Sequence, residues 1–206
     1  MNKKIDQILD IYDIDKSEEI INYYKKWAKN FDYDMFEWDY QAPEIASKLL
    51  DSYLSNKNTK ILDAGCGTGL VGQILKKLGH QNIDGIDFSQ AMLDKIPNNL
   101  YKTLKKADLN KKININTLTY DSIICVGTFT YGHVRPHALS ELIRITKING
   151  YICFTVNEGV YNKYGFNKKI LELENNKIWK ILRNEKSKYL VNKNVECWLC
   201  IAQKIK

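Results

Sequence analysis

The chain has 206 residues, 44% of them hydrophobic, which suits one sizeable core with an N-terminal extension better than two full domains. It contains no apolar run of about 18 residues, and no apolar segment follows the lysines of MNKKIDQILD. The formal charge is +7, but only Arg135, Arg144 and Arg183 are arginines, and the lysines are scattered. We therefore predict a soluble, cytoplasmic protein with a solvated lysine surface, without a membrane span or a nucleic-acid partner.

The five cysteines are predicted to be free thiols in a reducing compartment. Cys197 and Cys200 have the CxxC spacing of zinc and redox sites. The surrounding segment, VECWLCIAQ, has the pattern of a strand, in which positions i and i+3 point to opposite faces. No second CxxC occurs in the sequence, so we predict no metal site.

The N-terminal quarter of the chain predicts a helical cap. Apolar residues recur at helical spacing from Ile20 to Phe31, which predicts an amphipathic helix, and a looser aromatic segment, FDYDMFEWDYQAP, follows it. Pro43 then opens a second helix, which ends before the asparagines and serine at 55–58. We predict that residues 1–58 form a cap or lid and that residues 59–206 form the core.

Strand-like and helix-like segments alternate through the core, which predicts an α/β fold with a doubly wound, mostly parallel sheet. Ligands of such sheets bind beyond the carboxyl ends of the strands. The predicted strands are TKILDAG, NIDGIDF, a weak segment within 101–108, YDSIICVGT, GYICFTV, KYLVN and VECWLCIAQ, with one further helix predicted over 167–183.

The segment ILDAGCGTGL, residues 61–70, joins the first strand to a helix through a turn with three glycines. Such a turn lets backbone approach a ligand closely, and two cofactor classes compete for it. Gly67, Gly69 and Gly72 satisfy the G-x-G-x-x-G pattern of dinucleotide sites, with Asp87 twenty residues after the first. In that register, however, Asp63 interrupts the apolar strand and has no favourable partner beside a pyrophosphate.

The second class, S-adenosylmethionine, gives the acidic residues a use because this cofactor carries two cationic groups and no phosphate. Asp63 is placed to orient its amino-acid end, and Asp87, at the end of the second strand, to accept hydrogen bonds from both ribose hydroxyls. Asp108 is placed to accept from the adenine amine. The side chains of Phe88, Met92 and Leu109 offer apolar faces to the ring.

Four segments in this order and spacing, ILDAGCGTG, IDGIDFSQAML, ADL and YDSIICVGTF, resemble the successive motifs of class I S-adenosylmethionine-dependent methyltransferases. The resemblance covers about residues 60–157. YYKKWAKNFDYDM, VGTFTYGHV and NGYICFTVNE, with the stretch from Tyr40 to Pro43, more narrowly resemble the methyltransferase-like proteins named for the Williams–Beuren syndrome region.

The resemblance implies a seven-stranded sheet ending in a reversed hairpin, with S-adenosylmethionine as cofactor and S-adenosylhomocysteine as product. It also implies that the three acids, Gly65, Gly67 and the Val126 to Thr128 backbone at the end of the fourth strand line the cofactor site. The complete predicted cofactor site is Asp63, Ala64, Gly65, Cys66, Gly67, Gly69, Leu70, Asp87, Phe88, Ser89, Met92, Asp108, Leu109, Val126, Gly127 and Thr128, with Tyr33 and Trp38 of the cap.

The methyl acceptor is predicted to be a small molecule. CVGTFTYGH lacks the Asn/Asp-Pro-Pro-aromatic motif of enzymes that methylate amino groups of nucleic acids, and no proline precedes a cysteine. TFTYGHVRPH and the aromatic cap segment are the candidate acceptor wall, with His133 as candidate base and Tyr131 beside it. The alternatives are an RNA or protein methyltransferase, a non-catalytic protein that binds the cofactor or its product, and, more remotely, a dinucleotide-dependent oxidoreductase.

Overall fold

Seven strands form one sheet at the centre of the computed structural model, which describes residues 17–132 and 134–206. The strands are β1 (Ile61–Ala64), β2 (Ile83–Asp87), β3 (Leu104–Lys106), β4 (Tyr120–Phe129), β5 (Thr146–Asn157), β6 (Trp179–Leu190) and β7 (Val195–Lys204). Their order in the sheet is β3-β2-β1-β4-β5-β7-β6. The first five strands run parallel, and β7 runs antiparallel to both of its neighbours, so the predicted mostly parallel seven-stranded sheet is confirmed.

Helices precede the sheet and connect its parallel strands. They are α1 (Ser17–Trp27), α2 (Phe31–Glu37), α3 (Ala42–Tyr53), α4 (Leu70–Lys77), α5 (Gln90–Leu93), α6 (Ala138–Ile145), α7 (Glu158–Tyr161) and α8 (Phe166–Asn175), with a 3₁₀ turn at Val191–Lys193. Among the described helices, none is long and apolar enough to cross a bilayer.

Side chains alternate between the two faces along the buried strands, so both faces of the sheet carry apolar residues and both are packed against other parts of the chain. Ile61 packs in the apolar cluster on the face that carries α3 and α4, and Leu62 packs in the cluster on the opposite face. The same alternation puts Cys197 in the first cluster and Cys200 in the second. The two thiols of the CxxC therefore point away from each other, as the strand pattern predicts.

The prediction of a helix over 167–183 is wrong for the second half of that range. α8 ends at Asn175, Lys177 adopts a left-handed conformation with φ of 54°, and β6 begins at Trp179. The Trp179 ring is buried against Phe154, with ring centroids 6.0 Å apart, and its Nε1 donates to the carbonyl of Ile170. Pairing with β7 and burial of this ring outweigh the helical spacing of the apolar residues.

The predicted N-terminal helix is two helices, and the aromatic segment after it is not irregular. The backbone turns at 28–30, and α2 lies within the segment predicted to be loose. Residues 38–41 then run beside the end of β6, where Gln41 N donates to the Tyr189 carbonyl at 3.0 Å and Asn192 N donates to the Trp38 carbonyl at 3.1 Å. α3 packs on α4, β4 and β5, so this part of the predicted cap is joined to the core.

Candidate functional site

A cavity lies beyond the carboxyl ends of β1, β2, β4 and β5, between the sheet and α1–α2. This is the edge at which parallel α/β sheets bind ligands. Fourteen of the predicted cofactor residues line it: Trp38, Gly65, Cys66, Gly67, Leu70, Asp87, Phe88, Ser89, Met92, Asp108, Leu109, Val126, Gly127 and Thr128.

The glycines of the turn between β1 and α4 expose backbone atoms without side chains to the cavity. Gly65 has φ of 78°, and a Cβ there would lie 2.0 Å from the Thr128 Oγ1, so only glycine fits between the ends of β1 and β4. Gly67 has φ of 53°, and a Cβ there would meet no protein atom within 4 Å. Gly67 also lines the cavity, so a ligand can approach its backbone closely.

Asp87 closes β2 and is held by the backbone of two loops. Its Oδ2 accepts from Gly67 N at 2.9 Å, and its Oδ1 accepts from Ser89 N at 2.7 Å. Burial raises the pKa of this carboxyl, and the backbone donors Ser89, Gly67 and Phe88 oppose that rise. Each carboxylate oxygen can accept a second hydrogen bond, so Asp87 can receive two hydroxyl donors from the cavity.

The segment after β3 supplies the second acid of the wall. Asp108 Oδ1 accepts from Asn110 N at 2.9 Å, and its Oδ2 lies 3.5 Å from the Lys111 Nζ. Met92 and Leu109, both buried, line the cavity near it. An apolar slot with one carboxylate at its edge suits a flat ring that carries a hydrogen-bond donor.

Asp63 lies behind the glycine turn, outside the cavity wall. It is 1% exposed, and its Oδ2 accepts from the Tyr101 hydroxyl at 2.6 Å. Burial raises the pKa of Asp63 to about 7, against the opposing hydrogen bond from Tyr101. Its Oδ1 is buried without a hydrogen-bond partner among the described residues.

Three other predicted cofactor residues lie off the cavity wall. Ala64 is buried in the sheet, and a Cβ on Gly69 would point at Leu100, 2.7 Å away, on the far side of the turn. Tyr33 is 57% exposed, because α2 turns Asp34 and Met35 inward instead.

The cap covers the cavity with aromatic rings and is tied to the glycine turn. Trp27 packs on Phe31 and Trp38, with ring centroids 4.8 and 5.8 Å apart, and its Nε1 donates to the buried Asp34 Oδ2 at 2.8 Å. Thr68, inside the turn, donates its hydroxyl to the Asp32 Oδ1 at 2.6 Å. Cap and turn are therefore joined by a direct side-chain bond.

The buried Tyr189 and the half-buried Tyr40 close the side of the cavity near β4. A Cβ on Gly127 would lie 2.3 Å from the Tyr40 hydroxyl and 3.5 Å from the Tyr189 hydroxyl, so both rings reach the end of β4. Burial is the first cause that raises the pKa of Tyr40, followed by Tyr189. The Tyr40 hydroxyl is therefore neutral at physiological pH.

The two candidate catalytic residues are not both described. Tyr131 does not line the cavity, because its ring packs edge-on against Tyr164, 6.2 Å between centroids, and its hydroxyl lies against Gly159. His133 lies outside the described residues.

Sixteen of the thirty described lining residues are absent from the predicted cofactor site, and they fall into three groups. Thr68 lies inside the quoted turn and Asn157 at the end of a quoted strand, so position alone signals both. Tyr189 and Leu190 arrive through the antiparallel β6, and no local pattern marks them. The remaining residues are Tyr24, Trp27, Phe31, Met35, Tyr40, Pro43, Val71, Ala107, Asn110, Thr130, Gly132 and Val134, of which Phe31, Met35, Tyr40, Pro43, Thr130, Gly132 and Val134 lay in the candidate acceptor wall.

Comparison with known proteins agrees with this geometry. The family described as "Methyltransferase domain" matches residues 61–150. Human methyltransferase-like protein 27 is 32% identical over 146 residues, which are 69% of this chain and 59% of that protein. Malonyl-[acyl-carrier protein] O-methyltransferase of Buchnera aphidicola is 33% identical over 161 residues, 75% of this chain and 60% of that protein.

The chain thus spans about three fifths of the length of these curated relatives. Among solved structures, an S-adenosylmethionine-dependent methyltransferase from Mesorhizobium loti superposes with a TM-score of 0.59 at 15% identity, covering 76% of this chain and 96% of that one. At this identity the likeness establishes the fold.

Proposed function

Because this chain belongs to the class I S-adenosylmethionine-dependent methyltransferases, we propose that it transfers the methyl group of that cofactor to a small-molecule acceptor by in-line displacement. The observation that supports the proposal is the cavity. Its wall is formed by the glycine turn, by Asp87 with its two backbone hydrogen bonds, and by the aromatic cap. When bound, S-adenosylmethionine supplies a methyl group on a sulfonium, whose leaving group is a neutral thioether.

The described residues suit this cofactor better than a dinucleotide. Asp87 offers two acceptor positions for ribose hydroxyls, and Asp108 offers one for the adenine amine at the edge of the Met92 and Leu109 slot. Both charged side chains on the described part of the wall are acids, which would repel a pyrophosphate. The aromatic rings of the cap suit a sulfonium.

The cap residues exclude water and hold the two reactants together. Trp27, Phe31, Met35 and Trp38 cover the cavity, so a nucleophile inside it is stripped of bulk solvent. Alignment of nucleophile and methyl group is the main requirement of this reaction. We propose that the part of the chain before α3 opens to admit the reactants, with 1–58 and 59–206 as cap and core.

A small molecule is the acceptor that this cavity suits. The cap lies over the cavity and is bonded to the glycine turn through Asp32 and Thr68, so part of the cavity is covered and a compact acceptor fits it better than a long polymer does. We place the protein in the cytoplasm, where the five buried cysteines, all free in the structure, stay reduced.

Calorimetric titration with S-adenosylmethionine, S-adenosylhomocysteine and NADH tests the cofactor. We expect micromolar binding of the first two and none of NADH. Binding of NADH alone would overturn the proposal.

Incubation with radiolabelled S-adenosylmethionine and fractions of a cell extract then tests transfer. We expect label in the small-molecule fraction. Label only in protein or RNA would replace the small acceptor by a macromolecule, and tight binding without transfer to any fraction would indicate a non-catalytic binding protein.

A further inference from the structure

The far side of the cavity, beyond β4, has a chemistry different from the side that suits the cofactor. We call it the acceptor half; it comprises Tyr40, Thr130, Val134, Asn157, Tyr189 and Leu190. The inference below rests on the proposed function, since it concerns the second reactant of the same cavity.

Asn157 is the buried polar side chain of the acceptor half whose hydrogen bonding is incomplete. It ends β5, is 4% exposed, and its Oδ1 accepts from Gly159 N at 3.0 Å, which caps α7. That bond fixes the orientation of the amide, so the NH₂ group is the other end. Among the described residues nothing accepts a hydrogen bond from Nδ2, although Asn157 lines the cavity.

Because the Asn157 Nδ2 is not fully buried, it is reachable from the cavity and marks a place where a hydrogen-bond acceptor of a ligand fits. The complementary atom is a hydrogen-bond acceptor such as a hydroxyl or carbonyl oxygen. An ammonium group would bring a donor against a donor.

The charged residues on the cavity wall further restrict the chemical class of the methyl acceptor. Among the described lining residues, the charged ones are Asp87, at the end of β2, and Asp108, after β3. Three strand spacings separate β2 from β5, about 14 Å, so neither acid reaches Asn157. A carboxylate or phosphate in the acceptor half would be buried without a cation among these residues, which is strongly unfavourable.

The rest of the acceptor half is apolar or aromatic. Tyr40 and Tyr189 pack edge-on with ring centroids 5.1 Å apart, and Val134 and Leu190 complete the surface. Such a wall binds flat or compact apolar groups.

We propose that Asn157 binds the methyl acceptor through its side-chain NH₂, and that the acceptor is an uncharged, largely apolar molecule that presents an oxygen as hydrogen-bond acceptor.

Three probes that share a phenyl ring on a two-carbon arm test the charge class: 2-phenylethanol, 2-phenylethylamine and 3-phenylpropionate. Each is titrated at pH 7 into protein saturated with S-adenosylhomocysteine, and binding is followed by tryptophan fluorescence. We expect the alcohol to bind about tenfold more tightly than either charged probe. Tightest binding of the carboxylate or the amine, or no binding of the alcohol, would overturn the proposal.

The variant Asn157→Asp tests the residue. Aspartate keeps the oxygen that caps α7 but replaces the NH₂ donor by a second acceptor, so the thermal midpoint should change little. We expect binding of 2-phenylethylamine to strengthen about tenfold relative to that of 2-phenylethanol, because the ammonium pairs with the new carboxylate, whereas the hydroxyl can accept from the amide or donate to the carboxylate. Equal ranking of the probes by variant and wild type would overturn the role of Asn157.

The matched control is Asn167→Asp, which adds the same charge at the exposed start of α8, where the side chain already accepts from Lys168 N. It should leave all three affinities unchanged. Titration of the wild-type protein with S-adenosylhomocysteine distinguishes failure of the proposed function from failure of this inference. If the wild-type protein does not bind S-adenosylhomocysteine, the proposed function is wrong. If it binds S-adenosylhomocysteine but ranks the probes differently, only the inference about Asn157 is wrong.

Discussion

The two halves of the cavity are built in different ways. The half that suits the cofactor comes from segments that are each short in sequence: the turn at 65–69, the end of β2 and the residues after β3. The acceptor half collects side chains from 40 to 190, delivered by the cap, β4, β5 and β6. Backbone amides and glycines dominate the first, and side chains dominate the second.

This difference explains which half a sequence can disclose. A backbone cradle needs particular residues at fixed neighbouring positions, because glycine is required where φ is positive or space is absent. A side-chain pocket needs only that distant residues meet, and many residue types can fill one position. Substitutions in the first half should therefore act on cofactor binding, and those in the second on the acceptor.

The largest effect is expected from Asp87→Ala. Two charge-assisted hydrogen bonds to ribose would be lost, together with the partners of Gly67 N and Ser89 N. We expect S-adenosylhomocysteine affinity to fall on the order of 100-fold or more in calorimetry. Asp94→Ala, which removes a nearby acid outside the cavity, is the control; unchanged affinity in the Asp87 variant would refute the ribose site.

Gly67→Ala should separate backbone strain from occupied ligand space. Alanine at φ of 53° costs about 1 kcal/mol of stability, and its methyl group meets no protein atom. We expect that loss in urea unfolding and about a tenfold loss of S-adenosylhomocysteine affinity, because the methyl group enters the cavity.

Gly79→Ala is the matched control for Gly67→Ala, since Gly79 has φ of 96° but lies away from the cavity. Similar loss of stability with full affinity is expected there. Full affinity in the Gly67 variant as well would mean that the ligand does not approach the turn.

Thr68→Val tests whether cap and cofactor half act together. The substitution keeps the shape of the side chain and removes the hydroxyl that Asp32 accepts at 2.6 Å. One net hydrogen bond is worth about 1 kcal/mol, so we expect affinity for S-adenosylhomocysteine to fall about fivefold, through faster dissociation in stopped-flow fluorescence.

Thr103→Val removes a similar bond, from the Thr103 hydroxyl to the Asp84 Oδ1 at 2.7 Å, outside the cavity wall. It should lower stability and leave dissociation unchanged. Equal dissociation rates in the two variants would show that the cap bond does not retain the ligand.

The smallest effect on binding is expected from Asp63→Asn, whose consequence is on stability against pH. Burial raises the pKa of Asp63 from 3.8 to about 7, so the unfolded chain loses this proton first. Stability from the protonated carboxyl is present below pH 3.8 and is lost as pH rises toward 7.

The measurement is urea unfolding of wild type and Asp63→Asn across that range. The free energy of unfolding of the wild type should fall relative to that of the variant as pH rises. Parallel curves would contradict the raised pKa. A large loss of cofactor affinity in the variant would show that Asp63 contributes to cofactor binding, as the sequence predicts.

The fold was predictable from the sequence where a local pattern of apolar and turn residues is enough to define a helix or a strand. Four of the five parallel strands contain apolar runs bounded by turn residues, whereas β3 is a short exposed strand, and the seven-stranded sheet followed from these runs and from the motif resemblance. The prediction failed at 167–183, where helical spacing continues into β6, and at the cap, where one periodic run is two helices. Burial of Trp179 and pairing with β7 are tertiary effects, which spacing does not encode.

The candidate site divides in the same way. Asp87 and the glycine turn lie where their positions in the motifs indicated, whereas Asp63, Tyr33 and Tyr131 have the expected residue types but point elsewhere. The direction of a side chain depends on what packs around it. Tyr101 draws Asp63 into the core, and Tyr164 holds Tyr131 away from the cavity.

By itself the sequence determined the order of the strands in the chain and the backbone cradle at the end of β1, because glycine geometry and apolar runs are local requirements. Only the tertiary structure decided that Asn157 and Tyr189 share a wall with Tyr40, and that Thr68 holds the cap. Those contacts join residues far apart in the chain, and their energies depend on the burial that the whole fold creates.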